Sequence, residues 1–229
     1  MAKTRAPGLF ITGTDTEVGK TYVAALIARA LVASGRRVGV YKPAASACWY
    51  RDGVLVSDDA LLLWEAAGRP GQLDLVCPQR FEAPLAPHLA AGEEGRELDA
   101  RLLRTGIDYW HARSDVVLVE GAGGLMSPLG QQESVADVAA DLGFPLVVVA
   151  RNVLGTINHT LQTLIAAAAH DPPLPVAGIV LNHPTPGSDD PSTAANRQEL
   201  AARCAAPVLA EFAWEAGQFD EPVDWLALL

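Results

Sequence analysis

The sequence predicts a doubly wound α/β fold, a mostly parallel sheet with helices on both faces, and three observations lead there. Five short apolar runs, at 8–12, 38–41, 116–119, 146–149 and 176–181, lack the apolar–polar alternation of a half-exposed strand. Such strands are covered on both faces, as in a parallel sheet. Helical segments separate the runs, and parallel neighbours need these right-handed crossovers. Finally, the polar clusters directly follow the runs, at the carboxyl edge where sheets of this kind bind ligands.

The crossover helices are predicted at 21–34, 58–67, 98–110, 134–142, 156–169 and 193–203. The fourth shows the reasoning: Ser134 caps it, Asp137 favours its first turn, and Val135, Val138, Ala139 and Leu142 make one apolar stripe. The stretch 68–96, rich in Gly, Pro and Glu, reads as an irregular excursion, and 184–191 as an exposed loop. No internal repeat or low-complexity tract interrupts a single domain over 1–229.

Half of the 229 residues are hydrophobic and 19% are charged, which suits a compact domain with a substantial core. The net charge of -10 excludes a broad nucleic-acid surface, which needs clustered Lys and Arg. Cys48, Cys77 and Cys204 have no CxxC spacing, so no zinc site or disulfide framework is expected. Thr12, Asp15 and Glu17 interrupt the apolar run that follows Lys3 and Arg5, and no stretch approaches a bilayer span. A cytoplasmic protein without membrane partners is expected. His88, His159 and His183 lack metal spacing, and the five tryptophans are scattered.

After the first run comes Gly13-Thr14-Asp15-Thr16-Glu17-Val18-Gly19-Lys20-Thr21, leading straight into a helix. Glycines let such a loop fold so that its N–H groups face phosphate oxygens, and the helix N-terminus adds positive potential. Lys20 suits the terminal phosphates and the Thr21 hydroxyl suits magnesium. Five residues separate the two glycines, one more than in the common phosphate-loop pattern. An ATP or GTP site in a P-loop NTPase-like fold follows. The run 116–119 ends in Glu120-Gly121-Ala122-Gly123-Gly124, which puts a carboxylate at the same edge to help hold nucleotide-bound magnesium. Asp58 and Asp59 open a helix, where either serves as a cap or a metal ligand. Lys42, after the second run, is placed to stabilise charge on a transferring phosphoryl group and an anionic acceptor.

Together these segments resemble dethiobiotin synthetase. The resemblance runs from GTDTEVGKT at Gly13 through YKPAAS at Tyr41, SDDALLL at Ser57 and VLVEGAGG at Val117. It continues in LGTINHT at Leu154, Asn182 and APVLAEFAW at Ala206. It implies an ATP-dependent cyclo-ligase that converts 7,8-diaminononanoate and carbon dioxide to dethiobiotin through a carbamate and a carbamic-phosphoric anhydride. Position by position, it implies that Thr21, Asp59 and Glu120 hold magnesium. The nucleotide would lie against residues 13–21, Gly121, Ala122, Gly123, Asn182, His183 and the segment Phe212, Ala213 and Trp214, with Asn182 reading the adenine edge. Lys20 and Lys42 would be catalytic, and Thr16, Lys42, Ser46 and Gly123 would position substrate. A homodimer is implied, with Gly155, Thr156 and Asn158 receiving the substrate carboxylate across the interface.

The chain departs from the family pattern at Asn196, where some members have a tail-gripping Tyr, at Ala213 in place of a frequent Pro, and at Leu85 and Ala86 in place of small hydroxyl residues. The alternative is a partition or septum-positioning ATPase switch. That class carries an early lysine in the phosphate loop, where this chain has Glu17, and a basic C-terminal helix, where this chain has the acidic segment from Glu221. A cobalamin-type amidotransferase synthetase would need a glutaminase domain for which 229 residues leave no room.

Overall fold

A computed structural model describes residues 5–186 and 191–229. In chain order its first elements are β1 (Gly8–Gly13), α1 (Lys20–Ala33), β2 (Val38–Tyr41), β3 (Ala44–Ala45), β4 (Trp49–Arg51), β5 (Val54–Val56) and α2 (Asp58–Ala66). Next come α3 (Leu73–Val76), β6 (Gln79–Arg80), α4 (Pro87–Glu93), α5 (Ala100–Thr105), α6 (Asp108–His111) and β7 (Val116–Glu120). The chain continues through α7 (Val135–Leu142), β8 (Leu146–Arg151), α8 (Thr156–Ala169), β9 (Val176–Asn182), α9 (Thr193–Arg203) and β10 (Val208–Phe212).

Six strands form one sheet in the order β10-β9-β8-β1-β7-β2, and every neighbouring pair is parallel. Each residue of β1 and of β7 is buried. Successive side chains point to opposite faces, so the sheet is covered on both. That is why these strands read as unbroken apolar runs. The predicted Ser134 cap is present as a full capping box: the Asp137 N–H donates to the Ser134 hydroxyl while the Asp137 carboxylate accepts from the Ser134 N–H.

Three expectations need correction. The helix predicted at 98–110 is two, α5 and α6, broken at Gly106. The buried Tyr41 hydroxyl donates to the Leu102 carbonyl at 2.7 Å, at the end of α5, and a Cβ on Gly106 would collide with that hydroxyl. The tyrosine thus takes a carbonyl from the helix end and needs glycine's missing side chain to approach it. The excursion 68–96 is not wholly irregular, since it contains α3, β6 and α4. The sixth strand, β10, was not among the predicted runs. Part of the loop predicted at 184–191 lies outside the described residues.

Trp110 of α6 is 1% exposed, and its ring N–H donates to the Leu75 carbonyl at 3.2 Å. It fastens the excursion to the edge of the sheet. Trp110→Ala is expected to lower stability by about 3–5 kcal/mol, read as a lower denaturant midpoint.

Candidate active site

The loop between β1 and α1 is held in a shape only glycine permits at its end. Gly19 caps α1 with φ +96°, and a Cβ there would run into the Asn182 side-chain amide. That amide donates from Nδ2 to the Val18 carbonyl at 2.9 Å, tying the loop to the end of β9. Val18 itself is buried, while Asp15, Thr16 and Glu17 are exposed. Lys20 is buried and arches back, its Nζ donating to the Asp15 carbonyl at 3.0 Å. Burial draws its pKa down to about 8, against the pull of Glu120. From the end of β8, Arg151 grips the loop's outer side, donating to the Glu17 carbonyl at 2.9 and 3.1 Å. Arg151 escaped the sequence reading, although a lone cation closing an apolar run at the ligand edge was a signal.

Beneath the loop, residues far apart in the chain converge. Lys42 Nζ lies 2.7 Å from Glu120 Oε1 and 2.9 Å from Asp59 Oδ2. The Thr21 hydroxyl donates to the same Glu120 oxygen at 2.8 Å. Asp59, rather than Asp58, is therefore the carboxylate of this cluster; Asp58 accepts from the Trp49 ring N–H at 2.8 Å. Burial works against the charge on Lys42, but its two carboxylates outweigh it and hold the pKa above the ordinary lysine value. Burial pushes Glu120 up, only partly offset by Lys42, whereas Lys42 holds Asp59 below the usual carboxylate range. Glu120 Oε2 is buried without a hydrogen-bond partner. An orphaned anionic oxygen beside a second carboxylate and a hydroxyl fits an all-oxygen magnesium site completed by phosphate oxygens and water.

A cleft of about 760 Å³ opens over this cluster. Its lining includes Thr16, Lys20, Thr21, Lys42, Ser46, Asp59 and Glu120, with Ala122 and Gly123. It also takes in Pro84, Leu85, Ala86 and Pro87, an apolar shelf the sequence reading left unassigned apart from Leu85 and Ala86. The Glu120 loop is pinned in place, for the Ser127 hydroxyl accepts from the Gly124 N–H at 2.8 Å and the Leu125 N–H donates to the Gly13 carbonyl. Gly121 is buried against Phe10 and Val135 rather than facing the cleft.

The remaining predicted residues lie in two groups outside it. His183 follows β9, its N–H donating to the Phe212 carbonyl at 3.1 Å. Phe212 turns its ring inward onto Tyr22, stacked at 5.6 Å, while Ala213 and Trp214 are exposed. Gly155, Thr156 and Asn158 form the start of α8 and do not line the cleft of their own chain. Thr156 Oγ1 is buried with no partner, and Asn158 accepts from Gln162 at 3.2 Å. Asn196 is buried, its amide spent on Asn152 Oδ1 at 2.7 Å and the Val153 carbonyl at 3.3 Å. It is an internal brace here and not a grip on a ligand.

A parallel sheet, a glycine-hinged phosphate loop running into a helix, and a buried lysine–carboxylate cluster at its mouth define a P-loop nucleotide-binding protein. Residues 7–218 match the family model described as an AAA domain. The chain is 42% identical to the ATP-dependent dethiobiotin synthetase of Rhodopirellula baltica, over 91% of this chain and 84% of that protein. It is 46% identical to that of Anaeromyxobacter dehalogenans, over 91% and 90%. The corresponding protein of Thermodesulfovibrio yellowstonii is 38% identical, over 84% and 82%. Among solved structures, chloroplast FtsY from Physcomitrella patens superposes with a TM-score of 0.57 at 16% identity. That match covers 99% of this chain but 65% of the other, and it shows the fold alone. The chain belongs to the dethiobiotin synthetase family, ligases that form carbon–nitrogen bonds.

Proposed function

We propose that the chain, as a single synthetase domain, uses ATP and carbon dioxide to close a cyclic urea on 7,8-diaminononanoate, giving dethiobiotin, ADP and phosphate. The observation that carries this reading is the cleft itself. It joins a phosphate-binding wall, with two buried lysines, to an apolar shelf suited to an aliphatic chain.

In this reading one amine of the diamine adds to carbon dioxide and loses a proton, forming a carbamate. A carbamate oxygen attacks the γ-phosphorus, the bond to the β-phosphate oxygen breaks, and ADP leaves. The second amine then attacks the carbamoyl carbon of the anhydride, losing its proton as phosphate departs and the ring closes. The acceptor and the γ-phosphoryl group are both anionic, so their encounter needs fixed positive charge. Lys20 reaches the terminal phosphates by releasing the Asp15 carbonyl. Lys42 turns its ammonium from the carboxylates toward the carbamate and γ-phosphate oxygens. Thr16, Ser46 and Gly123 orient the diamine end. Thr21, Asp59 and Glu120 would hold magnesium, which supplies neutralisation of the phosphate charge when bound.

At the other end Asn182 faces the base. One of its two Nδ2 hydrogens goes to Val18, which leaves an acceptor oxygen for the amino group of adenine and one N–H for a neighbouring ring nitrogen, a pairing that the carbonyl and ring N–H of guanine do not match. Asn182→Ala is expected to narrow the gap between ATP and GTP in kcat/KM by about tenfold, the scale of one charge-free hydrogen bond. An unchanged ratio would remove Asn182 from the base site.

The start of α8 lies outside its own cleft, on a surface that also exposes Leu154, Ile165 and Met126. A homodimer would cover these side chains and bring the substrate carboxylate to Gly155, Thr156 and Asn158 of a second copy. The three unpaired cysteines fit a reduced, cytoplasmic setting. The deciding experiment measures ADP release with Mg-ATP and bicarbonate, with and without the diamine, and detects the product by mass. Diamine-dependent release with the cyclised product supports the assignment, and diamine-independent turnover overturns it.

A further inference from the structure

Where β8, β9 and β10 end side by side, a buried polar cluster sits between the base end of this chain's proposed site and the α8 start that would serve a second copy. Its centre is Asn152, with no exposed surface. Its main-chain N–H donates to the Asn182 carbonyl at 2.6 Å, extending the ladder to the residue assigned to the base. Its side-chain Nδ2 donates to the Thr193 carbonyl at 3.2 Å and to Glu211 Oε1. Its Oδ1 accepts from Asn196, which also donates to the Val153 carbonyl.

The two branches lead to different places. Glu211 precedes the Phe212–Ala213–Trp214 segment and closes the loop that carries it. The Asp220 N–H donates to the Glu211 carbonyl at 2.9 Å, and the Glu211 N–H donates to Asp220 Oδ1 at 2.7 Å. The Glu211 carboxylate lies 2.6 Å from His183 Nε2 and 3.9 Å from Arg197, which also pairs with Asp220. Because Glu211 accepts at Nε2, that nitrogen carries the proton and is no acceptor for Asn152. The Asn152 amide is therefore committed to Thr193 and Glu211. The second branch, through Asn196 and Val153, fixes the turn that leads into α8 at Gly155 and Thr156.

We propose that Asn152 is a positioning residue that sets the base-facing loop and the α8 turn relative to one another, linking recognition of the base in its own cleft to recognition of the substrate carboxylate bound by the second copy's cleft through one buried amide. It touches neither ligand. This rests on the proposed placement of adenine beside Asn182 and of the substrate carboxylate at α8. A buried amide with every hydrogen bond used is a rigid joint, since moving either branch strands a polar group at the cost of its desolvation. The triphosphate contacts lie on α1 and its loop, which is held by Asn182 and Arg151 through bonds that do not use the Asn152 side chain.

The test compares binding of Mg-ATP with that of magnesium tripolyphosphate, which has the phosphates without the base, and adds the diamine KM. Asn152→Asp would set two carboxylates face to face at Glu211. Tripolyphosphate affinity is expected to hold within about twofold, while ATP binds about tenfold more weakly and the diamine KM rises, with the scale that of one broken buried hydrogen bond. Adding Glu211→Gln to Asn152→Asp restores a donor–acceptor pair of reversed polarity at that contact but leaves the Thr193 carbonyl without its donor, so ATP affinity is expected to recover in part. Asn196→Ala cuts only the α8 branch and is expected to raise the diamine KM with ATP affinity kept. This variant decides the matter if Asn152→Asp does not fold. Equal weakening toward ATP and tripolyphosphate, no recovery in the double variant, or an unmoved diamine KM in Asn196→Ala would each overturn the proposal. A wild-type protein that binds ATP more tightly than tripolyphosphate yet shows no diamine-dependent turnover would defeat the proposed reaction instead, leaving the base branch still open to measurement.

Discussion

Lys42→Gln is expected to lower turnover by about 10²–10³-fold, the usual cost of removing one preorganised charge from a developing anion, while ATP affinity changes only a few-fold. The separation follows from where Lys42 sits. It belongs to β2's end and the carboxylate cluster, whereas the triphosphate is cradled by the loop amides, the α1 N-terminus and Lys20. Glutamine keeps an N–H donor for Glu120, which limits the penalty of leaving a buried carboxylate uncompensated. A second readout needs no turnover. In the free protein the ammonium bridges Glu120 and Asp59, two of the three groups assigned to magnesium. Removing that tethered cation is expected to tighten manganese binding in the absence of nucleotide. Loss of ATP affinity with normal turnover, or weakened manganese binding, would show that Lys42 serves the nucleotide and not the transfer step.

What the sequence made legible was whatever it encodes locally. The runs in β1, β2, β7, β8 and β9 were visible because burial on both faces leaves no polar position. The phosphate loop was visible because its glycine spacing and GKT end are contiguous. β10 was missed because it is an edge strand paired only to β9, partly exposed, and carries Glu211 in its interior. The break between α5 and α6 depends on Tyr41, some 60 residues earlier in the chain. Arg151 and Asn152 were missed for a related reason: much of what they bind is carbonyl oxygen supplied by distant segments, which leaves no mark in the residues around them. The choice of Asp59 over Asp58 was open on helix grammar alone, because both can begin a helix. The resemblance selected Asp59, and the contact with Lys42 places it in the cluster.

Glu120→Gln is expected to be as damaging to turnover as the loss of Lys42, about 10²–10³-fold, yet with a different signature. Glu120 is 1% exposed, its Oε1 already accepts from Lys42 and Thr21, and its Oε2 has no partner. A glutamine amide can keep its oxygen toward those donors, but it sets an N–H group where a cation's ligand should be. The metal requirement should therefore suffer first, so that turnover no longer saturates at the magnesium concentrations sufficient for the wild type. Stability moves the other way. Burial holds the Glu120 carboxyl above its ordinary pKa despite Lys42, so the folded protein disfavours its charge relative to the unfolded chain. For an acid with a raised folded pKa, that cost is absent below the unfolded pKa. It grows as pH rises toward the folded pKa and is fully present above it. Neutralising the group removes the cost and leaves Lys42 paired one-to-one with Asp59. The unfolding midpoint of Glu120→Gln at neutral pH should therefore hold or rise while activity collapses, the trade expected where a site is kept for chemistry rather than stability. A variant that loses stability in step with activity would instead make Glu120 a structural partner of Lys42, and the metal site would have to be sought among other oxygens of the cleft.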